Sequence, residues 1–309
     1  MEVVTLLISQ IIIMFLYMIL GFVLFKGKKI SKEGSASMAT LLVWLIIPTV
    51  VIRSFCVEPT QERIVGLLLS IAAAVVAQGL SMLMSHVFFK KRPIDNFAAA
   101  FSNAGFIGIP LVKATVGDEA VFYIAFFVAM LNILQWVYGV AVITEKKMTV
   151  SKSTVMHPLI LGTVFGLVLF FTGLGVKLPA VISNTLSGIS ALNAPLAMLI
   201  MGVYLAQADM RSLWTDKNLY LLGFVRLVLI PVLTLLVLWG MQLLIPALNS
   251  TIVLALLIAA IAPVGANVAV YAQLHGKDYV YASKTVVLST LLSLVTMPLI
   301  VLVAQLLLV

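Results

Sequence analysis

The sequence predicts an all-α membrane protein of ten transmembrane helices, arranged as two inverted five-helix repeats with helices four and nine broken and crossed. Three observations carry this expectation. Of 309 residues, 63% are hydrophobic and only 10% are charged, whereas a soluble domain holds about 25% charged residues. The apolar residues fall into runs long enough to cross a bilayer, which takes about 20 residues in a helix. Two of these runs are interrupted, by Asn103-Ala-Gly-Phe-Ile-Gly-Ile-Pro110 and by Pro263-Val-Gly-Ala-Asn267.

In chain order the expected spans are residues 4–25, 36–56, 64–89, 95–115, 119–143, 156–174, 184–207, 218–245, 250–274 and 280–308. The first follows the acidic Glu2 and precedes a lysine cluster. A signal peptide has the reverse charge order and a shorter apolar core, so this span is read as an uncleaved helix. The second carries Pro48, and the third carries Gln78 and Ser81, read as inter-helix contacts. Only Gly117-Asp118-Glu119 separates the broken fourth span from the fifth, which contains Asn132 and Gln135 one turn apart. The sixth holds Val164-Phe-Gly-Leu-Val-Leu-Phe170, similar to Ile19-Leu-Gly-Phe-Val-Leu-Phe25 of the first. Pro195 in the seventh corresponds to Pro48, and Arg226 lies inside the eighth. His275-Gly-Lys-Asp278 divides the broken ninth span from the tenth.

The charges test this count. Alternate loops hold Lys26, Lys28, Lys29 and Lys32, then Lys90, Lys91 and Arg92, then Lys146, Lys147 and Lys152, then Arg211 and Lys217, then Lys277. The opposite loops hold only Arg63, Lys113 and Lys177, with Arg53 near a helix end. A wrong number of spans would scramble the alternation. Basic loops stay cytoplasmic, so both termini are expected outside the cell membrane. With five spans in each half, residues 1–150 and 151–309, the second half must enter the membrane inverted relative to the first.

Glycine and proline weaken a helix, and proline also removes a backbone donor. In lipid the freed groups survive only where protein or a wet cavity receives them. Two interrupted spans at corresponding places in the two halves are therefore a pointer to a transport site. A half-helix ending near Gly105 would offer carbonyls, and one starting near Pro110 would offer N–H groups, which favour an anion. Asn103 and Asn267 add amides that donate and accept. Asn132 could line the site or bond a neighbouring helix. Arg226 could attract an anion or snorkel to the surface. The acidic residues lie at or near span ends, so a carboxylate proton relay is not expected. Backbone carbonyls could still hold sodium. The lone Cys56 and the scattered His86, His157 and His275 give no metal-ligand pattern.

Ala100-Phe-Ser-Asn-Ala-Gly-Phe-Ile-Gly-Ile-Pro-Leu-Val112 resembles the fourth span of the auxin efflux carrier family. Ala260-Ile-Ala-Pro-Val-Gly-Ala-Asn-Val-Ala-Val-Tyr-Ala272 and Leu288-Ser-Thr-Leu-Leu-Ser-Leu-Val-Thr-Met-Pro298 resemble the ninth and tenth spans of its prokaryotic branch. The resemblance covers the whole chain. It implies a fold related to bile acid sodium symporters, with a scaffold of spans 1, 2, 6 and 7 and a moving core of spans 3–5 and 8–10. It also implies a homodimer and small carboxylate substrates such as malate or malonate. Those carboxylates are associated with the prokaryotic relatives, so auxin itself is not implied. Plant members carry a long central loop that is short here, and Val51 stands where they place a serine, so a polar contact from the second span is not implied either.

The expected function is a secondary transporter of a small organic anion, working by alternating access in an elevator-like manner. Its binding residues would be Asn103, Gly105, Gly108, Pro110, Asn132, Tyr138, Arg226, Pro263, Gly265 and Asn267, with Tyr138 placed only by the resemblance. The partners are the organic acid, the bilayer and a second copy; nucleic acid is not expected. No cofactor is expected, and sodium or proton coupling stays open. The alternatives are a sodium-coupled symporter of larger amphipathic acids, an anion channel, and a membrane-embedded enzyme. The last would need a cluster of carboxylates, His or Cys, which the spans lack. No phosphate-binding loop suggests ATP drive.

The charge alternation generates a prediction. A cysteine placed at position 28 is expected to react with a membrane-impermeant maleimide from the cytoplasmic side only; labelling from outside would invert the topology.

Overall fold

The computed structural model describes residues 2–148, 156–207, 213 and 215–308. Thr149, Lys152, Asp209, Arg211 and the expected repeat boundary at 150/151 lie outside the described residues, as do Met1 and Val309. The helices are α1 (Glu2–Lys26), α2 (Lys32–Ser54), α3 (Gln61–Phe89), α4 (Pro93–Ala100), α5 (Ala104–Thr115) and α6 (Ala120–Thr144). There follow α7 (Pro158–Phe171), α8 (Ala180–Gln207), α9 (Lys217–Leu244), α10 (Ser250–Ile261), α11 (Asn267–Leu274) and α12 (Tyr279–Leu307).

Helices α1, α2, α3, α6, α8, α9 and α12 are long and apolar enough to cross a membrane. The fourth expected span is divided between α4 and α5, and the ninth between α10 and α11. Helix starts are set locally by polar caps. Ser31, Thr60, Asn249 and Asp278 each accept a backbone N–H from the first turn of α2, α3, α10 and α12, as such residues do at N-terminal caps.

Three prolines leave a common signature. Residues Leu42–Ile46, Ala104–Gly108 and Val225–Leu229 form wider π-helical turns, each ending two residues before Pro48, Pro110 or Pro231. Proline has no N–H, and its ring meets the carbonyl four residues earlier. One wider turn relieves both problems without ending the helix. A fourth such turn, Gln135–Gly139, lies in α6 without a proline.

The break in the fourth span differs from the sequence expectation. The first half-helix ends at Ala100 and the second starts at Ala104. Gly105, Gly108 and Pro110 are thus inside α5 rather than bounding the gap. The π turn explains this, because it absorbs Pro110 where a plain α-helix would have to stop. N–H groups after Gly108 are consequently spent within the helix, and the Ile109 N–H bonds the Ala104 carbonyl. In the ninth span the break falls between Ile261 and Asn267 and contains Pro263, as the sequence suggested.

The two breaks meet. Asn103 N–H donates to the Pro263 carbonyl at 2.8 Å, and Gly265 N–H donates to the Phe101 carbonyl at 3.0 Å. Ser102 and Val264 thus form an antiparallel bridge in the middle of a helical protein. Around it, α3, α6, α9 and α12 pack against α4 and α10. The other helices, α1, α2, α7 and α8, pack largely with one another. The tightest of these contacts is α1 against α8. Gly202 lies directly on the Met18 carbonyl and the Phe22 N–H, and Gly21 lies on the backbone of Leu199. Small residues let backbones approach closely where lipid gives helices no hydrophobic reason to associate.

That approach is testable. Gly202→Ala puts a Cβ into the backbone of α1, and overpacking of this kind costs about 1–3 kcal/mol. A lowered melting temperature in detergent is expected; an unchanged one would mean that the two helices separate freely.

Candidate functional site

A bridge of two short backbone segments leaves helix ends to be satisfied on either side of it. The carbonyl ends of α4 and α10 lie on one side. Gln78 Nε2 of α3 donates to the Ala100 carbonyl at 3.1 Å. Arg226, in the π turn of α9, is 0% exposed. Its Nη1 donates to the Ala99 carbonyl at 3.2 Å, and its Nη2 donates to the carbonyls of Ala260 at 2.5 Å and Ala262 at 2.7 Å. Arg226 therefore neither snorkels nor faces the cavity described next. It stops the ends of both half-helices at once.

The starts of α5 and α11 lie on the other side, beside a cavity of about 40 Å³. Ser102, Asn103, Gly105 and Phe106 line it from the fourth span, and Gly265, Ala266 and Asn267 from the ninth. Val128, Leu131, Asn132 and Gln135 of α6 close a third wall, and Val43, Ile47, His157 and Leu159 a fourth. A volume of this size holds a few waters. Asn103 is 4% exposed, and its Nδ2 has no protein acceptor; the Ser102 Oγ is likewise buried and unpartnered. Buried polar atoms are nearly always paired, so an unpaired amide on a cavity wall calls for an explanation.

The neighbouring amides are occupied. Asn267 Nδ2 donates to Gln135 Oε1 at 2.8 Å, joining α11 to α6. Asn132 lines the cavity while its Nδ2 donates to the Val128 carbonyl of its own helix at 2.9 Å. The Ile107 and Gly108 N–H groups both donate to the Asn103 carbonyl, at 3.0 and 3.1 Å. The N–H groups of Ala104, Gly105 and Phe106 precede them in the first turn and have no acceptor within α5.

Of the residues expected at a binding site, Asn103, Gly105, Asn132, Gly265 and Asn267 are brought together around the cavity. Pro263 contributes its carbonyl to the crossing. Gly108 does not line the cavity; a Cβ there would come within 3.2 Å of the Ala259 Cα of α10. Pro110 faces a separate recess, and Tyr138 donates to Asn96 Oδ1 at 3.1 Å, away from the cavity. Residues that the sequence reading did not place there are Ser102, Phe106, Val43, Ile47 and His157. The last three come from α2 and the start of α7, far away in sequence, and nothing in their local pattern marked them. Ser102 is adjacent to Asn103 and could have been found.

The recess, about 530 Å³, is bounded by Val50, Arg53, Ile109, Pro110, Lys113, Asp118 and Asn193, among others. Asp118 pairs with Arg53 and with Lys113, both at 3.2 Å. Asn193 of α8 lines the recess and donates from Nδ2 to the Gly105 carbonyl at 3.4 Å. The first turns of α5, with this contact, thus separate the recess from the central cavity. The opposite face carries its own tie: Asp95 at the start of α4 pairs with Arg92 at 2.5 Å and accepts from the Tyr281 hydroxyl of α12 at 2.7 Å.

Known proteins resemble the chain over most of its length. The family model described as "Membrane transport protein" matches residues 6–154 and 147–301. A protein of Rhizobium meliloti (strain 1021), described as "Putative malonate transporter", is 26% identical over 285 residues and is covered to 85%, as is this chain.

The Asn267–Gln135 bond is expected to show as coupling. In a double-mutant cycle of Asn267→Ala and Gln135→Ala, the melting free energies should be non-additive by about 0.5–3 kcal/mol, the range for residues in direct contact. Strict additivity would show that the bond contributes nothing.

Proposed function

Since the chain belongs to the membrane transport protein family, we propose that it is a secondary carrier of a small organic acid anion across the cytoplasmic membrane, with a dicarboxylate of the malonate type as substrate. The observation that carries this reading is the unpaired Asn103 amide on the wall of the central cavity. Two helix starts converge there. Each helix N-terminus is equivalent to about half a positive charge, and its free N–H groups suit a carboxylate. One carboxylate accepts from Asn103 Nδ2 and from the first-turn N–H groups of α5, with Asn132 beside it. The relative named for malonate supports a short diacid over a larger amphipathic one.

In this reading the cavity and the recess are the two sides of one pathway. The cavity of about 40 Å³ is too small for malonate as it stands, whereas the recess of about 530 Å³ holds one easily. Binding therefore requires α5 and its partners to shift against α1, α2, α7 and α8, an elevator-like movement of the crossed helices as a unit. The bridge at Ser102 and Val264, with Gln78 and Arg226, holds that unit together. The ten spans form two inverted five-helix repeats, the lysine-rich loops are cytoplasmic, and the protein is a homodimer joined through α1, α2, α7 and α8.

Two measurements test the substrate site. Thermal stability of purified protein is measured across dicarboxylates, monocarboxylates and indole acids; short dicarboxylates are expected to raise the midpoint most. Asn103→Ala is expected to lose about 1–3 kcal/mol of binding, a five- to hundredfold weakening, with folding retained. Unchanged affinity in folded, inserted Asn103→Ala would overturn the site.

A further inference from the structure

A broken helix in a membrane presents carbonyls that in many carriers are satisfied by a transported cation. Here seven carbonyls at the crossing have a donor from the chain. Phe101 N–H serves Phe97, Gly265 N–H serves Phe101, and Asn103 N–H serves Pro263. Gln78 serves Ala100, and Arg226 serves Ala99, Ala260 and Ala262. We infer that the Arg226 guanidinium is a built-in cation at the crossing, standing where a coupling ion would otherwise bind, and that transport through this protein needs no sodium. This rests on the carrier reading above and adds its coupling.

The charge balance favours the assignment. Guanidinium stays protonated in proteins. A buried cation without a partner costs several kcal/mol, and among the described residues no carboxylate pairs with Arg226. Two helix C-termini supply the counter-charge instead. Each is equivalent to about half a negative charge, so the ends of α4 and α10 together offset one arginine. The planar fork also reaches carbonyls of two different helices, which the single ammonium of lysine cannot do as well. Arg226 is a positioning residue for the site: it holds the carbonyl ends, and thereby sets where the opposite starts of α5 and α11 point.

The test uses wild type, Arg226→Lys and Arg226→Met in proteoliposomes. Malonate counterflow is measured in sodium, potassium and choline salts, and melting temperature is read in the same salts. Wild-type counterflow and melting are expected to agree within twofold and within error across the three salts. Arg226→Lys, which keeps the charge, should retain a third or more of the counterflow; Arg226→Met should fall below a tenth. Saturable sodium stimulation of tenfold or more, a sodium-specific rise in wild-type melting temperature, or Arg226→Met working as well as Arg226→Lys would overturn the inference. If Arg226→Met does not fold, the wild-type salt series still decides. If wild type moves no malonate, the substrate reading fails by itself. The melting data then judge Arg226: sodium-indifferent wild type supports the built-in cation, and sodium-specific stabilisation refutes it.

Discussion

Backbone groups freed inside a membrane have no water to turn to, and satisfying them at one crossing organises the rest of this structure. Helices α4 and α10 end within the apolar interior, and their breaks pair with each other through two N–H···O bonds. Two bonds cannot serve every freed group. Gln78 and Arg226 supply further donors on the carbonyl side, and Ser289 Oγ accepts the Val264 N–H at 3.0 Å. Lipid tolerates irregular backbone only where protein encloses it in this way. The helices that provide these two donors and this acceptor, α3, α9 and α12, are thereby fixed around the crossing.

The same arrangement separates charge without ionised pairs. Carbonyl ends face the arginine, and helix starts face the cavity, whose wall carries no basic side chain except His157. The anion proposed above would be held there by oriented dipoles, which need little reorganisation when a ligand arrives. It also explains why Asn103 and Ser102 can remain unpaired. A buried polar atom without a partner costs about 1–3 kcal/mol, a cost that is tolerable where a bound ligand or water removes it.

Aromatic rings support the crossing from the sides. Phe97 stacks with Phe101 and Tyr271 at centroid distances of 4.9 and 5.4 Å, and Trp136 meets Tyr271 edge-on at 5.1 Å. Gly139 lies directly on the Phe97 ring, which accounts for a glycine in the π turn of α6. Tyr138 joins this cluster, 6.2 Å from Phe101, and bonds Asn96. A tyrosine engaged in that way supports α4 and is turned from the cavity.

Composition and run length alone determined that this chain is helical and crosses a membrane, because a hydrophobic run of about 20 residues has few other solutions. The paired interruptions located the crossing, since glycine, proline and asparagine together in an apolar run are costly unless used. Asn103, Gly105, Gly265 and Asn267 could be read from that pattern, and Asn132 as a polar residue inside an apolar span. The exact gap in the fourth span could not, because a proline can end a helix or be absorbed by a π turn, and only the surrounding packing chooses. Arg226 could not be placed either. A lone arginine in a span can snorkel, meet an anion or bond carbonyls, and the outcome depends on which helix ends stand within reach of it. Those ends come from residues 99, 260 and 262, brought together by tertiary structure from places in the sequence that carry no mark of one another.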